Sequence, residues 1–386
     1  MTSDFDVLVV GAGPAGSIAA RQLAAAGARV RLVDRATFPR DKLCGDTLNP
    51  GSLALLSRLD AAVAKRVRAR ALATTGITVT GPGGAVVSAD YPDGLSGAAL
   101  TRRDFDEWLL EAAVRAGARF DPGVSAHAPL VVGHPARVVG IRARCGSREH
   151  ELRAQVVIAA DGRASRLGTA LRLSRFTKSP QRWAYGTYFS DVDGLTTRGE
   201  MHVRADGYVG VAPLPGGLAN VCVVRPRPNP GAGQSPDRLL MRSLADDPVL
   251  AERFSRARRV TVVTVLGPLA VEGIAAGCPG MLLAGDAAGF VDPMTGDGLR
   301  FAIRGGELAA RAALAELESD VPSFRQLRAW RRREFSGKWR INRALRALVG
   351  SPHALELAAL AARAWAAPVE HLVGIAGDIE LARQSA

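Results

Sequence analysis

Asp6-Val-Leu-Val-Val10-Gly11-Ala-Gly13-Pro-Ala-Gly16 is a short apolar run that breaks directly into three spaced glycines. An alanine-rich helical stretch follows to about Ala26, Gly27 stops it, and Ala28–Asp34 reads as a second strand. The glycines therefore lie in the first turn of a strand–helix–strand unit. Gly11 permits the tight turn, Gly13 lets backbone approach a pyrophosphate, and Gly16 lets helix and strand pack closely. The helix N-terminus then faces the phosphates. Asp34 ends the second strand, where a carboxylate can accept a hydrogen bond from an adenosine ribose hydroxyl. This unit predicts dinucleotide binding; a glycine turn in an unrelated α/β domain is the plain alternative.

Which dinucleotide is decided some 270 residues further on. Leu282-Leu-Ala-Gly285-Asp286-Ala-Ala-Gly-Phe-Val-Asp-Pro293-Met-Thr-Gly296-Asp297-Gly298-Leu299 reads as a strand, a Gly-Asp turn, a Pro/Gly loop and a helix start. Asp286 can accept hydrogen bonds from a ribityl hydroxyl. Backbone N–H groups at Gly298-Leu299, at a helix N-terminus, can face the electron-rich edge of a flavin ring. A simple NAD dehydrogenase has no use for such a segment, so the pair predicts FAD. No His or Cys attachment motif is recognisable, and non-covalent binding is expected.

Between these segments lie a helix, about Thr101–Ala116, that carries Phe105, Leu109 and Val114 toward a core, and a hairpin, Val138–Arg144 with His150–Ala154. The apolar strand Gln155–Ala160 runs into Asp161-Gly162. From Trp183 to Leu266 the texture changes. Trp183–Val192, Glu200–Arg204, Tyr208–Pro213, Ala219–Val224 and Val260–Leu266 are strand-like and separated by Gly/Pro turns. Met281–Ala284 is again a short buried strand, and the chain is helical from about Leu299. The expected class is α/β (α+β overall): a Rossmann-like FAD-binding domain with an inserted, mostly antiparallel β-sheet substrate domain and a helical C-terminus. The expected bounds are 1–75, 98–180 and 267–322 for the first, 76–97 and 181–266 for the second, and 323–386 for the third.

GAGPAG, Asp161-Gly162 within AADGRAS, and GDAAGFVDPMTGDG together resemble the flavoprotein fold of the para-hydroxybenzoate hydroxylase type. Within that fold, Phe38-Pro39-Arg40-Asp41-Lys42-Leu43-Cys44-Gly45 resembles the PRxKxCG segment of the geranylgeranyl reductase family. Arg102, in the run Arg-Arg-Asp-Phe-Asp, matches that family's cofactor-contacting arginine. The likeness covers about residues 5–310. It implies that Ala15, Asp34, Arg102, Asp286, Gly298 and Leu299 contact FAD, with backbone near Cys44-Gly45 and Val124. Gly11, Gly13, Pro14, Gly16, Arg35, Asp161, Gly285 and Gly296 are expected around the same cofactor. Cys44 would lie beside the flavin at the edge of the substrate cavity; its other reading is a small buried hydrophobe. No His nearby in sequence could activate it as a nucleophile.

One segment departs from the pattern. Geranylgeranyl reductases resemble Tyr-x-Trp-x-Phe-Pro and flavin-dependent halogenases Trp-x-Trp-x-Ile-Pro, where this chain has Tyr208-Val-Gly210-Val-Ala212-Pro213. The space left at Gly210 and Ala212 suggests a bulkier or differently shaped substrate. Tyr208 reads equally as a core strand residue.

Three functions are carried forward. The first is reduction of a carbon–carbon double bond in an isoprenoid-like or other lipophilic substrate, with Cys44 and Tyr208 as proton donors by position only. The second is an FAD-dependent monooxygenase, a hydroxylase acting on an aromatic or polyketide-type substrate. The third is a flavin-binding protein without turnover. No second GxGxxG follows a strand, and Gly231-Ala-Gly233 sits in a proline-rich loop. NAD(P)H is therefore expected to approach the flavin transiently, or another reductant supplies the electrons.

Composition narrows the class further. The 386 residues suit about two hydrophobic cores, and 47% of them are hydrophobic. Cys44, Cys145, Cys222 and Cys278 are far apart and form no CxxC pair, so no metal, iron–sulfur cluster or disulfide framework is expected. No signal peptide or membrane span is expected, and the protein reads as cytoplasmic. Net charge is +13, and all basic residues except Lys42, Lys65, Lys178 and Lys338 are arginine. This charge is spread along the chain without a nucleic-acid motif, so no nucleic-acid partner is expected. Its one concentration is Phe324–Leu348, where Phe324, Leu327, Trp330, Phe335, Trp339, Leu345 and Leu348 recur at roughly helical spacing among basic residues and one acid, Glu334. Such a helix suits an anionic membrane surface, which would place the protein peripherally at the inner face of a membrane. A helix packed on the protein with a solvated arginine face is the plainer reading. Ala354–Ala366 is apolar around much of its circumference. The oligomeric state has no signature.

Overall fold

The computed structural model describes residues 5–384, apart from 82, 83, 85, 179, 180, 227–234, 292, 293, 295, 350 and 352–372. The loop at Gly231–Gly233, the Ala354–Ala366 segment and the side chains of Leu345 and Leu348 lie outside the described residues.

Val7–Val10 is buried along its whole length, as a strand covered on both faces must be. It pairs in parallel with Val30–Asp34 on one side and Val156–Ala159 on the other. Arg119–Pro122 extends the sheet beyond Val30–Asp34, and Met281–Leu283, followed by Gly277–Cys278, extends it beyond Val156–Ala159. Helix Pro14–Ala25 starts immediately after the first strand, with proline at its first position, and packs against the long helix Gly298–Ser319. Val7, Val9, Leu32, Ile158 and Leu282 meet these helices in one core. The opposite face meets a three-stranded antiparallel sheet, Val124–Val132, Arg137–Cys145 and Arg148–Arg153, through Leu8, Val33 and Ile141. The expected hairpin is thus the outer part of that sheet.

The second sheet has the order Arg258–Arg259, Arg182–Ser190, Ala219–Pro226, Gly207–Pro213, Arg198–Arg204, Gly76–Thr80, Val86–Asp90, with Thr264–Leu266 also on Arg182–Ser190. All its pairs are antiparallel except Arg198–Arg204 with Gly76–Thr80. Register sorts its side chains into two faces. Tyr185, Val209, Val211, Val221 and Val223 pack on Leu239, Leu240 and Leu244 of helix Pro236–Ala245. On the other face lie Ala184, Val203, Tyr208 and Val224, in contact with Leu269 and Met294 of the nucleotide-binding half.

Two expectations are corrected, and between the two readings of the C-terminal helix the plainer, packed one holds. Phe105 and Leu109 are buried, but Val114 is 46% exposed. Five residues separate Val114 from Leu109, which turns it away from the face that positions 105 and 109 share. Val260–Leu266 is not one strand. Arg258–Arg259 and Thr264–Leu266 pair with Arg182–Ser190 separately, and between them the Thr187 hydroxyl donates to the Thr261 carbonyl at 2.7 Å. A β-branched sequence forms no ladder where a side chain takes the backbone acceptor. The apolar side of helix Phe324–Val349 does not face solvent. Leu327 and Phe335 are buried, and Trp330 and Trp339 pack on the same core. Among the described residues, its arginine-rich side is left for an external partner.

Candidate functional site

Both halves open onto one cavity of about 630 Å³, within the range of small-molecule sites. The nucleotide-binding wall starts at the first glycine turn. Gly11 has φ +100°, and a Cβ there or at Gly16 would strike backbone, of Ala160 and of Gly11 respectively. A Cβ at Gly13 would meet only Arg40, 3.5 Å away, so this backbone is open to a ligand. Asp34 is oriented by two backbone donors, Ala12 N–H at 2.7 Å and Ala36 N–H at 2.8 Å. Gly11, Gly13, Pro14, Ala15, Asp34 and Arg35 all line the cavity, and Gly16 packs behind them.

The rest of this wall is charged. Cys44, Gly45, Arg102, Val124, Asp161, Gly285, Asp286, Gly296, Gly298 and Leu299 line it. Asp286 faces Lys42, Arg102 and Arg163; burial pushes its carboxyl up and the three cations oppose that shift. Its carboxylate accepts no hydrogen bond from the described residues, which leaves it free to orient a hydroxyl-bearing ligand. Arg102 is buried and holds Asp106 through two hydrogen bonds of 2.6 and 2.7 Å, while Arg40 reaches the same carboxylate at 3.0 Å. One oxygen of Asp161 is buried without a partner; the other accepts from Arg166 N–H at 3.1 Å. Burial also pushes the Cys44 thiol up, so it stays protonated and is not a thiolate nucleophile.

The substrate-side wall is the inner face of the second sheet, with Ala184, Met201, Tyr208, Gly210, Ala212, Cys222 and Val224, closed by Leu266, Leu269, Phe290 and Met294. Gly210 lies opposite Met201 on one side and Cys222 on the other, and a Cβ there would have nothing closer than 3.9 Å. Open width at this position is therefore real.

A network below this wall was not anticipated from the sequence. Asp46 is fully buried and accepts from Tyr188 Oη at 2.7 Å and Asn220 Nδ2 at 2.5 Å. Asn220 Nδ2 also donates to the Cys44 carbonyl at 2.7 Å. Burial pushes Asp46 up to about 6. These residues come from three distant segments, and only register across the sheet brings Tyr188 and Asn220 together. Arg102 and Asp106, in contrast, are four apart on one helix, a pairing that spacing could have suggested.

An open glycine cradle at a helix N-terminus, an oriented acid at the second strand and the uncommitted acid Asp286 fit a bound FAD. Fold and site thus define an FAD-binding flavoprotein. Residues 4–320 match the FAD binding domain family. Over 347 residues the chain is 34% identical to digeranylgeranylglycerophospholipid reductase 2 of Methanopyrus kandleri, covering 86% of this chain and 82% of that protein. It is 35% identical over 330 residues to the menaquinone reductase of Mycobacterium tuberculosis, covering 79% and 75%. The structure of a myxobacterial chondrochloren halogenase, FAD-dependent, superposes with a TM-score of 0.79 at 26% identity over 88% of this chain and 82% of that one. The chain belongs to the geranylgeranyl reductase-like family of FAD-dependent oxidoreductases.

Proposed function

We propose that this protein reduces carbon–carbon double bonds in the isoprenoid chain of a lipid, with FAD held non-covalently. The observation that carries the reading is the apolar sheet face from Ala184 to Val224, which shares one cavity with the nucleotide cradle. The relatives named for digeranylgeranylglycerophospholipid and menaquinone support a lipophilic substrate. When bound and reduced, FAD supplies the hydride.

The chain's own groups then have separable tasks. Asp34 orients the adenosine ribose and the first turn of helix Pro14–Ala25 receives the diphosphate. Asp286 would hold the ribityl chain, and the N–H groups at Gly298-Leu299 would receive the electron-rich side of the ring. The Arg40–Asp106–Arg102 cluster keeps the wall beside Cys44 in place. Ala184, Met201, Cys222, Val224 and Leu269 hold the alkene and exclude water. Cys44, on the nucleotide-binding wall, and Tyr208, on the sheet face, are protic side chains of the same cavity and are the proposed proton donors. NAD(P)H or another reductant is the proposed electron source, approaching only transiently. The domain bounds expected above are proposed as the functional division between cradle and substrate wall. A peripheral position at the inner face of a membrane, through the arginine side of helix Phe324–Val349, would suit such a substrate.

The second reading, a monooxygenase acting on an aromatic or polyketide-type substrate, is favoured by the likeness to the halogenase and by the missing aromatic at Gly210. Mass spectrometry of lipid extracted after incubation with protein, FAD and reductant separates the two. A gain of two hydrogens per reacted double bond is expected; a gain of one oxygen would replace the reductase reading by the second.

A further inference from the structure

Arg331, on helix Phe324–Val349, is 5% exposed and carries an unbalanced charge. Its Nη2 donates to the Ala288 carbonyl at 3.3 Å, while Nη1 has no partner. The guanidinium lies 5.4 Å from the Phe335 ring centre and 6.0 Å from that of Trp339. Among the described residues no carboxylate forms an ion pair with it. Other buried arginines are treated differently: Arg102 is paired with Asp106 and Arg300 with Glu334. Burial alone acts on Arg331 and lowers its affinity for a proton to about 10.

Its surroundings indicate what could balance it. A Cβ on Gly305 would lie 3.3 Å from Arg331 Nη1 and 3.4 Å from Gly285 N, so all three groups adjoin. A Cβ on Gly285 would lie 2.8 Å from that of Ala15, and Gly306 abuts the Ala15 backbone. Arg331 is thus seated one backbone layer beneath the first turn of helix Pro14–Ala25. That turn carries the positive end of a helix dipole. A buried cation beside another positive end is unfavourable on both counts, through lost solvation and through repulsion. An anion on the cavity side of the turn removes the conflict.

We propose that Arg331 is a buried counter-charge for the FAD diphosphate, so that cofactor loading and the seating of helix Phe324–Val349 stabilise each other. The inference rests on FAD being the ligand of the cradle. By linkage, whatever FAD gains from Arg331 the seated helix gains from FAD.

The test uses the full chain stripped of FAD, in wild-type, Arg331→Met and Arg331→Lys forms. Each is titrated with FAD and with ADP, and its thermal midpoint is recorded with and without FAD. Arg331→Met should weaken both ligands roughly tenfold, the order expected of one unit charge acting through a protein interior. Without ligand it should melt at or above the wild type, because an uncompensated cation has been removed, and FAD should raise its midpoint less. Arg331→Lys keeps the charge and should bind FAD like the wild type. A ligand-free Arg331→Met that melts several degrees lower yet binds FAD normally would overturn the inference, leaving Arg331 as a clamp on Ala288. If Arg331→Met does not fold, Arg331→Lys decides: a tenfold loss of FAD affinity despite the retained charge is equally fatal. Failure of the wild type to bind FAD would instead refute the cofactor assignment.

Discussion

At the scale of single residues, Asp46 has the environment with the clearest consequence. Its carboxyl titrates at about 6 in the folded chain, against 3.8 as the ordinary value. The folded state therefore holds the proton more tightly than the unfolded state, and stability falls as pH rises between those two values. About two units correspond to about 3 kcal/mol. Asp46→Asn keeps both accepted hydrogen bonds and cannot ionise, so its unfolding free energy should lose that part of the fall; urea titrations at pH 4.5 and 7 read the difference. An equal pH dependence in both proteins would show that Asp46 is ionised throughout. Gly210 supports a prediction of another kind. Gly210→Trp restores the aromatic of the Tyr-x-Trp-x-Phe-Pro pattern and should fill the open width beside Met201 and Cys222. Turnover of a substrate bulkier than a single isoprenoid chain should then fall by roughly tenfold or more relative to a slim one, while FAD affinity stays the same. Flavin titration and product formation check the two halves separately. The residues of the glycine cradle were legible because each answers a local constraint, as Gly11 does at φ +100°. Asp46, Asn220 and Tyr188 were not, because nothing within a few residues of any of them encodes the other two.

At the scale of elements, periodicity served where a strand or helix is covered on a definite face. Val7–Val10 and Val156–Ala159 are buried throughout and read as interior strands. Helices Pro50–Leu59 and Ala61–Arg70 went unread although each has a side-chain cap, Asn49 accepting from Ser52 N–H and Asp60 from Val63 N–H. Short helices have little periodic signal, and a cap is meaningful only once the helix is known. The C-terminal elements meet the site through a buried charge cluster that spacing could not disclose. Lys338 Nζ lies 2.5 Å from Asp297 Oδ1 and 2.7 Å from Asp378 Oδ2, and Arg300 Nε lies 3.4 Å from the same Asp378 oxygen. Asp297 immediately precedes helix Gly298–Ser319, whose start lines the cavity. Asp378→Asn keeps the left-handed backbone that Asp378 adopts and removes its charge. It should cost about 3 kcal/mol, the scale of breaking a partly buried ion pair, and weaken FAD binding as well. Equilibrium unfolding and flavin titration would show it; unchanged values in both would mean that Lys338 is satisfied by Asp297 alone.

At the scale of the whole molecule, two sheets of different construction share one cavity, the parallel one carrying the nucleotide cradle and the antiparallel one an apolar wall. The two-part organisation was legible from the change of texture near Trp183 and the return at Met281. Gly76–Thr80, inside the expected bounds 76–97, joins the second sheet by pairing with Arg198–Arg204 across more than a hundred residues of chain, and Val86–Asp90 pairs locally beside it. The family follows from cradle, wall and sequence identity together, while the reaction rests on what the apolar wall holds over the flavin. Anaerobic mixing of the reduced holoprotein with an unsaturated isoprenoid lipid, followed by flavin absorbance, tests that directly. The flavin should reoxidise without oxygen as the lipid gains hydrogen. A flavin that stays bleached until oxygen is admitted would contradict the account.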